Sequence, residues 1–170
     1  MLTAGGLVLS SEAGPTAAGP AWVRGAQTSG TAEISGQPVR AVRYVDRGRF
    51  AYSFVLRNAS PLGVTVAGVD GPPAGSHRLV RPQALTNAAG ERAFALHGGG
   101  AARVRLTVLM TGCEHVAQRG SSLLSALRVR IRVLGILPRT RTVELPELLR
   151  VGSPRDSACP RSTPHSRSPG

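Results

Sequence analysis

A chain of 170 residues with 41% hydrophobic side chains is long enough to close one modest core and short for two domains. Its 21 glycines and 13 prolines leave only short periodic runs between turn signals, which argues against a helical bundle and for strands joined by turns. The formal charge of +12 favours an anionic partner, yet every basic residue is arginine and none is lysine, a bias that GC-rich coding produces as readily as selection for binding.

At the N-terminus, Leu2 to Leu9 is uncharged and mildly apolar. It lacks the basic residues that precede a signal-peptide core and is far shorter than the ~20 apolar residues of a membrane helix. It reads either as the outer end of a longer export signal or anchor, or as an ordinary N-terminus. Ser10 to Gly30 is small and polar around a lone Trp22, so residues 1–30 read as a flexible stalk. The folded region is expected over 31–152, with a Ser-, Pro- and Arg-rich tail over 153–170.

Within the folded region, Val42 and Tyr44 alternate with Arg43, and Asp46 to Arg49 reads as a turn into Phe50–Arg57, making a hairpin. Phe50, Tyr52, Phe54 and Leu56 share one face and form the expected centre of the core. Asn58 to Pro61 turns the chain into a strand carrying Val64 and Val66; Asn58 also heads an Asn-x-Ser triplet, which the following proline disfavours as a glycosylation site. His77 to Val80 reads as a short edge strand and Arg81 to Gly90 as a loop. His97-Gly98-Gly99-Gly100 is a turn, because a phosphate loop needs a lysine at fixed spacing and the chain has none.

The run Arg103 to Cys113 then places Val104, Leu106, Val108 and Met110 on one face, with Arg103, Arg105, Thr107 and Thr111 on the other. Ser122 to Leu127 reads as one helical turn in a polar loop. Leu127 to Leu134 repeats the alternation, with Arg128, Arg130 and Arg132 opposite Val129, Ile131 and Val133. Thr140 to Leu145 is the last strand, stopped by Pro146.

About seven short strands at regular spacing predict an all-β, antiparallel immunoglobulin-like sandwich, with a small barrel as the alternative. The run Phe50 to Asn58 followed by Pro61 to Val66, with Cys113 and the closing Val143-Glu144-Leu145-Pro146, resembles small actinobacterial proteins that carry one such domain outside an N-terminal anchor. That resemblance covers about residues 31–159. It implies export and a binding or structural role at the cell surface, and supplies no functional residues.

In an exported protein a Cys113–Cys159 disulfide would pin the tail to the domain and contribute on the order of 4 kcal/mol; two free thiols are the cytosolic alternative. Cys113, His115, Cys159 and His165 match known zinc frameworks poorly. No Gly-x-Ser-x-Gly, no His-Glu-x-x-His and no convincing carboxylate pair is present, so neither an enzyme, a cofactor nor a small-molecule substrate is indicated.

Arginine remains. If the Arg103 and Arg128 strands are neighbours, Arg103, Arg105, Arg128, Arg130 and Arg132 form a ladder able to engage phosphates or another anionic polymer, with acids such as Glu144 offsetting their repulsion. A solvated strand face is the plainer reading. The sequence thus supports an exported or surface-anchored domain whose partner is a cell-envelope component or another protein. Its alternative is an intracellular basic module that binds nucleic acid or another polyanion.

Overall fold

The computed structural model describes residues 14–71, 79–112 and 121–152, and among them strands are joined by turns, bends and irregular segments, without a helix. Among the described residues ten strands are formed: β1 (Pro15–Arg24), β2 (Thr28–Ile34), β3 (Gln37–Val42), β4 (Arg49–Asn58), β5 (Val64–Val69), β6 (Val80–Asn87), β7 (Phe94–Leu96), β8 (Ala101–Met110), β9 (Ser122–Val133) and β10 (Leu137–Val151). A four-stranded sheet has the order β1-β4-β8-β6, and a six-stranded sheet the order β2-β3-β10-β9-β5-β7. With β1, β4, β5, β6, β8, β9 and β10 lettered A to G, the sheets read A-B-E-D and G-F-C, the immunoglobulin arrangement. The expected sandwich is present, enlarged by β2, β3 and β7. It is not wholly antiparallel, since β3 runs parallel to β10 from Val39 opposite Leu148 to Val42 opposite Val151.

The core follows from strict alternation on the central strands. Phe50, Tyr52 and Phe54 of β4 pair with Val108, Leu106 and Val104 of β8, and all six are buried. They meet Val66, Leu127, Val129, Ile131 and Val143 of the other sheet in one apolar cluster. Each large aliphatic or aromatic side chain buried this way contributes roughly 1.5–3 kcal/mol.

Asn58, also buried, ends β4 and organises one pole of the sandwich. Its Nδ2 donates to the carbonyls of Leu62 at 2.7 Å, Leu96 at 3.2 Å and His97 at 3.1 Å, while its Oδ1 accepts from the Ser60 amide. The glycine run beside it is required by space: a side chain on Gly98 would collide with the Pro61 carbonyl, and Gly99 has φ +67°.

The structure changes five sequence-based expectations. Residues 15–24 are strand rather than stalk, so the fold begins before residue 31. The pattern is hard to read because the inward Ala17 and Ala21 are small and a bulge at Gly19 shifts the register between Ala18 and Trp22. Second, β3 and β4 lie in different sheets and form no hairpin; the turn closed by Gly48 N–H to Val45 O at 2.9 Å carries the chain across the sandwich. Third, residues 80–87 form edge strand β6, with Pro82 beside a bulge where a missing donor is tolerated. Fourth, Ser122–Leu127 is strand, not helix. Fifth, β10 continues past Pro146 because a register shift between Glu144 and Leu149 accommodates it. Cys113, His115, Cys159, His165 and the tail lie outside the described residues.

Candidate anion-binding faces

Period two turns the outer face of the four-stranded sheet into a basic surface. Arg24 of β1, Arg49 and Arg57 of β4, Arg81 of β6, and Arg103 and Arg105 of β8 all point outward and are exposed. None of these four strands contains Asp or Glu. Among the described residues, none of the six arginines forms an ion pair.

Register keeps the six charges from facing one another directly. Arg103 lies opposite Val55, Arg105 lies between Ser53 and Thr86, Arg57 lies between Thr16 and Ala101, and Arg24 lies opposite Ala51. Arg49 and Arg81 flank Leu109 from either side. Like charges directly opposed across strands destabilise a sheet, and this staggering avoids that cost while leaving a field of one sign. Arg103 and Arg105 are about 6.8 Å apart along their strand.

Trp22 is the aromatic on this face, 43% exposed. The β1 bulge turns Ala21 into the core and Trp22 outward, opposite Ser53. A bidentate pair fixes the bulge from the sandwich edge: Arg40 Nε and Nη2 donate to Glu147 at 2.7 and 3.0 Å, and Nη2 reaches the Ala21 carbonyl at 3.5 Å. The hydrogen bond to Glu147 raises the Arg40 pKa despite the opposing effect of burial. Beneath it, burial pushes the Tyr52 phenol up, and its hydroxyl donates to the Glu147 carbonyl at 3.4 Å.

The five arginines singled out in the sequence do not form one ladder. Arg103 and Arg105 stand on β8, whose neighbours are β4 and β6, whereas Arg128, Arg130 and Arg132 stand on β9 between β10 and β5. The two groups face away from each other across a core about 10 Å thick. Alternation reports a side chain's face but not its sheet, which is why the joint ladder failed. Glu144 lies on β10 and cannot offset Arg103 or Arg105.

The six-stranded face is also more mixed. Arg130 crosses Gly68 to pair with Asp70 at 3.2 Å, and Arg128 and Arg132 lie opposite Thr142 and Pro138. A shallow groove of about 280 Å³ runs along this face, lined in part by Ala67, Arg130, Arg132, Pro138 and Thr140.

Sequence reasoning missed Trp22, Arg24, Arg49, Arg57 and Arg81 as members of a common surface. The available signal was the complete absence of acids from four strand-length segments, which becomes meaningful once those segments are known to be one sheet.

Fold and surface together define an immunoglobulin-like β-sandwich with one uniformly basic sheet face. No family model and no curated protein matches the chain. Among solved structures, the cupredoxin domain of amoB from Nitrosocaldus yellowstonii is similar at 10% identity and TM-score 0.29 over 68% of this chain. The match spans 64% of that protein's chain.

Proposed function

We propose that this chain is a non-catalytic binding domain that holds a polyanion against the outer face of its four-stranded sheet. The observation that carries this reading is the set of six exposed, staggered arginines on four strands without an acid. An ordinary solvated surface intersperses both signs, whereas a one-sign field concentrates counter-ions and steers an anionic ligand. Trp22, with the Arg103 guanidinium over its ring, adds a partly exposed aromatic surface to this face.

We place the domain outside the cytoplasm, in contact with the cell envelope. The sequence resemblance and the Cys113/Cys159 pair support that placement, and non-reducing mass spectrometry of protein from its native host tests it. A Cys113–Cys159 link is expected; two free thiols would contradict export.

The binding reading is tested with Trp22, the chain's single tryptophan and therefore a reporter on the proposed face. Fluorescence titration with inorganic polyphosphate and with a single-stranded oligonucleotide is expected to give affinities that fall linearly with the logarithm of salt concentration. The oligonucleotide should quench Trp22 more strongly if bases stack on it. Absence of binding to both at low salt would overturn the reading.

A further inference from the structure

The pole organised by Asn58 carries a second unexplained feature, an apolar tip on the β9–β10 hairpin. Leu134, Ile136 and Leu137 are 62, 75 and 50% exposed, and Leu62 on the adjoining β4–β5 loop is 46% exposed. The loops are joined by Leu134 N–H to Gly63 O at 3.4 Å, so the four side chains belong to one end of the molecule.

The turn is chemically unusual. Ile136 N–H bonds to Val133 O, and both central residues have positive φ, 52° at Leu134 and 75° at Gly135. Such turns favour Asn-Gly, because asparagine adopts positive φ more readily than a bulky side chain. Leucine here is worse for the backbone and exposed to water, so neither folding nor solubility accounts for it.

Charge surrounds the tip on both faces of the ribbon. Arg132 lies opposite Pro138 on the outer face, while Arg139 lies opposite Ile131 on the other, and both are exposed. No acid occurs between Arg128 and Val143, nor between Arg47 and Val69. Just behind the tip, Arg132, Arg139 and Thr140 are among the residues that line the outer-face groove with Ala67 and Pro138.

We propose that this hairpin tip inserts into the interface of an anionic phospholipid bilayer. Leu134, Ile136 and Leu137 enter the boundary between headgroups and acyl chains, a depth of about 5–10 Å for interfacial apolar groups. Arg132 and Arg139, set back from the tip, remain at headgroup level and meet lipid phosphates. The groove beside Arg132 and Thr140 receives one such phosphate. Burying the leucines and isoleucine in lipid removes the apolar exposure, and the two flanking arginines select an anionic surface over a neutral one. The inference is independent of polyanion binding by the four-stranded sheet.

Co-sedimentation with phosphatidylcholine vesicles, with and without phosphatidylglycerol, tests the proposal. The wild-type chain is expected to bind the phosphatidylglycerol vesicles preferentially, and Leu134→Asn with Ile136→Ser to weaken that binding at least about tenfold. Asparagine suits the positive φ of residue 134, so circular dichroism should show an intact fold and separate lost insertion from lost structure. Arg43→Gln, an exposed arginine beyond the Val42–Val151 end of the six-stranded sheet and away from the tip, should bind vesicles like the wild type. The proposal is overturned if the wild-type chain ignores phosphatidylglycerol, if the tip variant binds unchanged, or if the Arg43 variant loses as much binding as the tip variant. It is also overturned if light scattering shows the tip holding two copies of the chain together instead.

Discussion

The Arg103 guanidinium carbon lies 5.1 Å from the centre of the Trp22 ring, linking β8 to β1 across the intervening β4. At a partly exposed site such a cation–π contact stabilises by about 0.5–1 kcal/mol, too little to be needed for folding. Its consequence is placement, since it holds the Arg103 cation over the Trp22 ring on the basic face. Arg103→Gln is therefore expected to change Trp22 emission and shift stability by about 1 kcal/mol or less. Polyphosphate titrations across salt should show a slope reduced by roughly one phosphate contact.

The Arg40–Glu147 pair predicts coupling between the sandwich edge and that face. Glu147→Ala leaves the partly buried guanidinium without its bidentate partner and is expected to cost about 1–3 kcal/mol in urea denaturation. Glu147→Gln, which retains a neutral acceptor, should cost less. Because Arg40 also reaches the Ala21 carbonyl, the alanine variant should alter Trp22 emission in the native state. An unchanged spectrum would show that the bulge is held without the Arg40–Glu147 pair.

Asn58 predicts a larger loss at one position. Asn58→Ala removes the donor to three carbonyls and the acceptor for Ser60 N–H in a buried site, each a group that is costly to leave unpaired. A destabilisation of about 2–4 kcal/mol is expected, measured by the denaturation midpoint at constant slope. Asn58→Asp should not rescue it, because a carboxylate cannot donate to those carbonyls.

Tyr52 predicts an alkaline limit. Its folded-state pKa is raised above the ordinary value of 10.0 by burial, so its contribution is complete below that pH and is lost as pH rises toward the higher folded value. The denaturation midpoint is expected to fall above pH 10, with a smaller fall in Tyr52→Phe. Identical alkaline profiles would assign the loss to other groups.

Much of the sandwich is legible in the sequence wherever one face is large and apolar. Phe50 to Leu56, Val104 to Met110 and Val129 to Ile131 announce their strands because a slip of one residue would expose every core side chain. By contrast, β1 is obscured because alanine contributes little contrast between faces and the Gly19 bulge interrupts the period. Partnering is obscured for another reason: the pattern of Arg103 and of Arg128 is the same whichever sheet each strand joins. The basic face was therefore visible only as scattered arginines, and Trp22 only as a lone aromatic in a small-residue segment.

The central claim is that the outer face of the four-stranded sheet, and not positive charge in general, binds a polyanion. It is tested most directly by neutralising three arginines on either sheet and measuring polyphosphate affinity at about 0.15 M ionic strength, where distant exposed charges are screened. Arg57→Gln, Arg103→Gln and Arg105→Gln together should weaken binding at least about tenfold, while Arg128→Gln, Arg130→Gln and Arg132→Gln together should change it by about twofold or less. Equal losses from the two sets, or a larger loss from the second, would contradict the account.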